Sequence, residues 1–401
     1  MSSKDTFQYE DRHMIPFFAK QPVSIERGRG VYVWDEEGNR YIDFTSGWGV
    51  TCLGHAHPAI TKALHEQARK IIQNPNSGLT YSPARARLLS VLTKVLPKDL
   101  SRVFFTNSGA EANDAAIKLA RKITGRLDVI SMVQSFHGRT ISTASATGQV
   151  SHRDKFKPLM PNYRFVPYND IESVERALDS AVAAIIVEPI QGEGGVIIPG
   201  EGYIETLSRL GRDNGSLLIV DEIQTGFCRT GSFFAISPQS VEVDFLTMAK
   251  GIAGGFPFGG FAVTESVASS IEQGDHGGTY CGNPLGCAVA HEVVRTLVEQ
   301  DICANVNRIG SLAMERLHGW HGSHPELIVD VRGCGLLLLM QLPAERVASE
   351  INEICLRKGL FVRQTQGSGI RLFPALNIGT DELEEGLAIL EEAIEEVAGN
   401  S

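Results

Sequence analysis

The stretch AAIIVEPIQGEGGVIIPGEGYIETLSRLGRDNGSLLIVD, residues 183–221, decides the fold. It opens on an unbroken apolar run, Ala183–Val187, and closes on another, Leu217–Val220. Between them lie a Gly-rich loop and an amphipathic helix pattern over Tyr203–Asn214. A fully apolar run of this length reads as a strand covered on both faces, and strand–helix–strand reads as a parallel crossover. The alternation continues outward. Arg102–Thr106 and Val129–Val133 precede the stretch, Asp244–Met248 and Gly260–Val263 follow it, and helix patterns cover Ala110–Ile123 and Ile171–Leu178. The expected fold class is α/β: a large domain with a mostly parallel sheet covered by helices, plus a smaller α+β domain.

The flanks differ. Residues 30–44 read as a hairpin, with Val31 and Val33 alternating, a turn through Glu37-Gly38-Asn39, then Tyr41 and Phe44. The last helix is predicted to open at an N-cap, Thr380, and to carry Leu383, Leu387, Leu390, Ile394 and Val397 on one stripe. Its Glu384, Glu385, Glu391, Glu392, Glu395 and Glu396 read as a solvated face. The expected organisation is an N-terminal segment and hairpin over residues 1–50 that packs with the small domain, a large domain over 51–295 and the small domain over 296–401.

Composition narrows the function. The chain has 401 residues, 43% of them hydrophobic and 21% charged, which is an ordinary globular balance. A net charge of −10, concentrated in the last helix, argues against a nucleic-acid or anionic-membrane partner. Met1 to Gln21 builds no apolar signal core, and no apolar run is long enough to span a bilayer, so a cytoplasmic location is expected. The 7 cysteines include no C-x-x-C pair and read as reduced thiols, with no metal site. The 41 glycines are the first functional hint, because backbone that must approach a ligand closely favours glycine.

In open α/β sheets ligands bind beyond the carboxyl ends of the strands, so polar residues just after apolar runs matter most. Asn107-Ser108-Gly109-Ala110 starts a helix and offers free N–H groups to an anion. Ser135-Phe136-His137-Gly138-Arg139 offers a stacking ring and a carboxylate clamp, and His137 has no partner at metal spacing. Glu188 and Glu193 stand in a Gly-rich loop, and Asp221 ends a buried strand. Lys250, the sole lysine between Lys157 and Lys358, precedes Gly251-Ile252-Ala253-Gly254-Gly255. Burial favours the neutral, nucleophilic amine of such a lysine. Each feature alone also fits an N-cap turn, a core ring, a solvated acid or an internal ion pair. Together they match what pyridoxal 5'-phosphate needs: a lysine for its aldehyde, an acid for its ring nitrogen, a stacking residue and a phosphate cradle. A nucleotide site fits poorly, since no Gly-Lys dipeptide and no G-x-G-x-x-G follows these strands.

At this point the chain resembles the class-III branch of the fold-type-I PLP-dependent aminotransferases, nearest to the acetylornithine and ornithine enzymes. NSGAEAN, SFHGR, VEPIQGEGG, DEIQTGFCRTG, MAKGIAGG and GGTYCGNPLGCAVA stand in that family's order over nearly the whole chain. The resemblance implies that Lys250 is the Schiff-base lysine and Asp221 the partner of the ring nitrogen. It implies that Gln224 meets the ring hydroxyl, that Phe136 and Ile223 cover the ring faces, and that Ser108, Gly109 and Ala110 hold the phosphate. Thr279 would reach that phosphate from the neighbouring subunit, making a homodimer with shared sites the minimal active unit. Arg139 and Arg371 would bind substrate carboxylates, with Glu193 pairing Arg371; no role follows for Glu188. The implied reaction is ping-pong transfer from an ω-amino acid donor to 2-oxoglutarate. Trp48 departs from the pattern: the acetylornithine enzymes usually carry a small aliphatic there and the ornithine enzymes a tyrosine. Tryptophan is more typical of relatives taking bulkier or non-carboxylated amines, which is the alternative. A PLP aminomutase or decarboxylase would use the same lysine and acid.

Overall fold

The computed structural model describes residues 3–239 and 241–399. The central sheet has seven strands in the spatial order Leu100–Thr106, Gly259–Thr264, Phe245–Met248, Leu217–Asp221, Val182–Val187, Asp128–Met132, Tyr163–Val166. Gly259–Thr264 runs antiparallel to both its neighbours, and the other pairings are parallel. Every residue of Val182–Val187 is buried, as its apolar run requires. The edge strand Tyr163–Val166 has no counterpart among the apolar runs; Arg164 interrupts it and only Val166 is buried.

Two four-stranded sheets complete the fold. The N-terminal hairpin, Tyr32–Asp35 with Arg40–Asp43, is extended by Ile25–Arg29 on one side and by Leu360–Phe361 on the other. Two residues after Phe361 the chain enters the second sheet, ordered Asp330–Cys334, Leu337–Gln341, Gly369–Leu372, Arg363–Thr365 and antiparallel throughout. The chain thus carries one short segment across both sheets.

The last helix, Thr380–Gly399, buries Leu383, Leu387, Leu390, Ile394 and Val397 as its stripe demands. It includes Thr380, so the predicted N-cap is wrong by one residue. The Gly379 N–H bonds Glu382 Oε2 at 2.8 Å, and the Thr380 hydroxyl accepts from Arg308 instead. Gly386 is required by close approach, since a Cβ there would lie 2.2 Å from Phe44 Cζ. The glutamate face is not simply solvated. Glu384 and Glu391 pair with Arg316, Glu385 with Arg40, and Glu392 and Glu396 with Lys358. Neighbouring elements that sequence spacing does not reveal supply these cations.

The expectation of uniformly reduced thiols is also corrected. Cys228 and Cys303, 75 residues apart with Cα atoms 4.9 Å from each other, form a disulfide. Folding brings this pair together, and spacing carried no sign of it. Among the described residues no helix is long and apolar enough to cross a membrane, and no cluster of metal-ligating side chains occurs.

Candidate active site

At the carboxyl ends of the central strands lies a cavity of about 470 Å³. Ser108, Gly109, Ala110, Phe136, Arg139, Glu193, Asp221, Ile223, Gln224 and Lys250 all line it. Residues from five separate stretches of sequence therefore meet in one place. Arg371 lies behind Glu193. Trp48 lines an adjoining cavity, and Thr279 lines neither.

Lys250 follows the buried strand Phe245–Met248 and adopts φ 46°, in the left-handed region. A non-glycine residue held there costs about 1–3 kcal/mol and persists only where the surroundings enforce it. Its Nζ makes no hydrogen bond or ion pair among the described residues. Burial lowers the amine below its ordinary 10.5, with Glu193 opposing and Arg371 assisting. The result is an amine that has no partner among the described residues and loses its proton more readily than an exposed lysine.

Asp221 ends Leu217–Asp221 and is 3% exposed. Its Oδ2 accepts from Asn113 Nδ2 at 2.7 Å and lies 2.8 Å from His137 Nδ1. A carboxylate only accepts, so Nδ1 carries the proton. Its Oδ1 accepts the Ile223 N–H at 3.1 Å. Asn113 is fixed in turn, donating to the His137 carbonyl and accepting from Thr247, which pairs with Asp221 across the sheet. The sequence alone assigns no role to Asn113 within NSGAEAN, and none to His137, which has no partner at metal spacing. The strand-end acid Asp221 is the partner that joins both.

Glu188, unassigned from sequence, is buried and joins two loops. Its Oε1 accepts the Phe136 N–H at 2.8 Å and its Oε2 the Gly192 N–H at 3.2 Å. Burial raises its carboxyl to about 7, against the pull of His137. The aromatic wall and the Glu193 loop are thereby tied to one side chain.

Arg371, 1% exposed, donates to Glu193 Oε1 at 2.8 Å and to the Gly192 carbonyl at 3.2 Å. Burial would raise Glu193, but Arg371 and then Lys250 hold it at about 2. Gln224 Nε2 also donates to Glu193 Oε1. Arg139 forms no ion pair among the described residues and lies 5.7 Å from the Phe136 ring centroid. Of the two arginines, Arg371 is thus neutralised and Arg139 is unpaired among the described residues.

Pyridoxal phosphate fits this set. Gln224 Oε1 is buried with no hydrogen-bond partner, an acceptor suited to a hydroxyl. A Cβ on Gly192 would lie 1.4 Å from that oxygen, so only glycine permits the approach. Helix Gly109–Thr124 is capped by Ser108, whose hydroxyl accepts the Glu111 N–H. The first N–H groups of the helix have no intrahelical acceptor and favour an anion. A Cβ on Gly109 would meet Ile223 Cδ1 at 2.6 Å, so the helix start and the Ile223 side chain close on the cavity together.

Residues 18–394 match the aminotransferase class-III family, to which the chain belongs. It is a PLP-dependent transaminase of fold type I, using an amino donor and an oxo-acid acceptor. The chain is 40% identical to the acetylornithine aminotransferase of Methanothermobacter thermautotrophicus over 99% of its own length and 100% of that protein's. The ornithine aminotransferase of Toxoplasma gondii ME49 superposes with a TM-score of 0.95 at 31% identity, covering 100% of this chain and 97% of that one. A thermostable (S)-enantioselective omega-transaminase from Thermomicrobium roseum superposes at 0.91 with 29% identity, covering 98% and 99%.

Proposed function

We propose that the enzyme moves the terminal amino group of an acetylornithine- or ornithine-like ω-amino acid to 2-oxoglutarate by a ping-pong mechanism. One observation carries this reading: Arg371 is neutralised by Glu193 at 2.8 Å while Arg139 is free. A donor with one distant carboxylate needs one cation. A dicarboxylic oxo acid needs two, and swinging Glu193 away from Arg371 exposes the second. The relatives named for acetylornithine and ornithine support the same donor class.

Bound pyridoxal phosphate supplies an aldehyde that captures amines and a ring that withdraws electrons from the substrate carbon. Lys250 would be the residue that holds the aldehyde, and its Nζ, unbonded to protein among the described residues, would carry a proton to or from the reacting carbon. Asp221 keeps the ring nitrogen protonated, and Asn113 and His137 keep Asp221 oriented. Gln224 would accept from the ring hydroxyl, Phe136 and Ile223 would flank the ring, and Ser108, Gly109 and Ala110 would hold the phosphate. Thr279 serves the site of a second copy in a homodimer. In support, it lies outside the cavity, its carbonyl is held by Gln73 and Ser77, and nearby Leu79, Tyr81 and Tyr280 are all strongly exposed.

The test is a donor panel on the holoenzyme with 2-oxoglutarate, reading glutamate formed from acetylornithine, ornithine, 4-aminobutyrate, lysine, putrescine and aryl amines. The two ornithine compounds are expected to react fastest. Turnover confined to non-carboxylated amines would instead establish the second reading, which rests on Trp48 in the adjoining cavity.

Glu193→Gln tests the switch. Its expected effect is a shift of at least ~10-fold in the ratio of the two half-reaction rates, read by single-turnover spectroscopy, because Arg371 is then permanently unmasked. An unchanged ratio rejects the switch. The same variant reports on stability. Glu193 sits at about 2 rather than its ordinary 4.5, so its ion pair stabilises the fold above about pH 4.5. That contribution fades as pH falls through about 2. Glu193→Gln is expected to flatten this part of the acid-unfolding curve.

A further inference from the structure

Next to the inner cavity lies a larger one, of about 980 Å³, and Glu193 lines both. Trp48 and Arg363 face each other in the outer cavity, with the Arg363 guanidinium carbon 4.9 Å from the indole centroid. Arg363 is paired with Arg371 across adjacent antiparallel strands. Residues opposite each other in such a pair leave the same face of the sheet. Arg363 therefore continues outward, one strand further, the line of cations that Arg371 begins.

Arg363 makes no hydrogen bond or ion pair among the described residues. Of the acids lining the outer cavity, Glu193 is held by Arg371, and Glu345 forms no ion pair with Arg363. A guanidinium resting on an aromatic face keeps its N–H edges free, and those edges match a carboxylate in a two-point contact. Trp48 is placed for this stacking at a backbone cost, since it adopts φ 68° next to Gly47 at φ 56°.

We propose that Arg363, resting on Trp48, forms an outer subsite for the carboxylate of a long amino donor, one whose acid group extends beyond Arg139. Arg363 is then a specificity-determining residue that selects donors by the reach of their acid. The inference rests on the aminotransferase reading and on Lys250 as the point where the amine reacts.

The experiment compares wild-type and Arg363→Gln holoenzyme with 2-oxoglutarate as acceptor. The donors are 4-aminobutyrate and 8-aminooctanoate, each beside its neutral counterpart, 1-aminobutane and 1-aminooctane. Arg363→Gln is expected to raise KM for 8-aminooctanoate by roughly 10-fold or more, the loss of one charge-assisted contact, with kcat within about twofold. The other donors are expected to stay within about twofold, and Arg363→Lys to recover part of the loss. A KM change equal for 8-aminooctanoate and 1-aminooctane, equal for both acids, or absent overturns the subsite. So does a wild-type preference for 1-aminooctane over 8-aminooctanoate. If the wild type converts none of these donors while the donor panel also fails, the donor reading falls and the subsite with it. Wild-type turnover with no selective effect of Arg363→Gln overturns the subsite alone.

Discussion

Replacing Lys250 with alanine is expected to lower turnover by about 10⁴-fold while leaving a folded, cofactor-binding protein. The chemical loss is large because one amine serves both as attachment point and as proton carrier, and positioned acid–base groups typically contribute 10²–10⁴-fold each. Little structural loss is expected. The Nζ bonds nothing among the described residues, and alanine meets the same φ of 46° at similar strain. Burial disfavours the charged amine, so its removal takes away a desolvated group and no partner. The measurement is paired: steady-state turnover, and peptide mapping after borohydride treatment. Cofactor mass is expected on the peptide containing Lys250 in the wild type and nowhere in Lys250→Ala. A variant that keeps a tenth of wild-type turnover would remove Lys250 from the chemistry.

Asp221→Asn is expected to cost about 10³-fold in both half-reactions with the cofactor still bound. The substitution keeps size and shape and removes the negative charge that stabilises a protonated ring nitrogen, an electrostatic contribution of the size seen when one preorganised partner is lost. Its surroundings aggravate the change. Asn113 and His137 both donate to Oδ2, and an asparagine that turned its NH₂ toward them would leave buried donors facing each other. Stopped-flow traces of the donor and acceptor half-reactions, with cofactor content measured alongside, separate this effect from loss of binding. Equal rates in wild type and variant would sever Asp221 from catalysis.

Much of this site is legible in the sequence. The residues that follow apolar runs, Ser108 after Leu100–Thr106, Asp221 at the end of its own strand and Lys250 after Phe245–Met248, line one cavity because parallel strands deliver their carboxyl ends to one edge of a sheet. Strand and helix bounds agreed within a residue or two wherever an apolar run or a 3.6-residue stripe dominated. The reading faltered where a residue's partner was distant in sequence. His137 has no local partner in the sequence, because its partner Asp221 lies 84 residues on. The glutamates of the last helix looked solvated because Arg40, Arg316 and Lys358 belong to other elements. Cys228 and Cys303 gave no local signal of pairing.

The sequence by itself determined the layered α/β fold, the class of chemistry and the side chains proposed to bear it. Those follow from local pattern: hydrophobic periodicity assigns the strands and helices, and the strand ends present the reactive groups. Only the tertiary structure decided how these groups are tuned. It set Asn113 and His137 on one oxygen of Asp221, tied Phe136 to the Glu193 loop through Glu188, and placed Arg363 beside Arg371 by strand register. Charge, orientation and pKa depend on distances between atoms that chain order leaves open, and these distances exist only after the elements have packed.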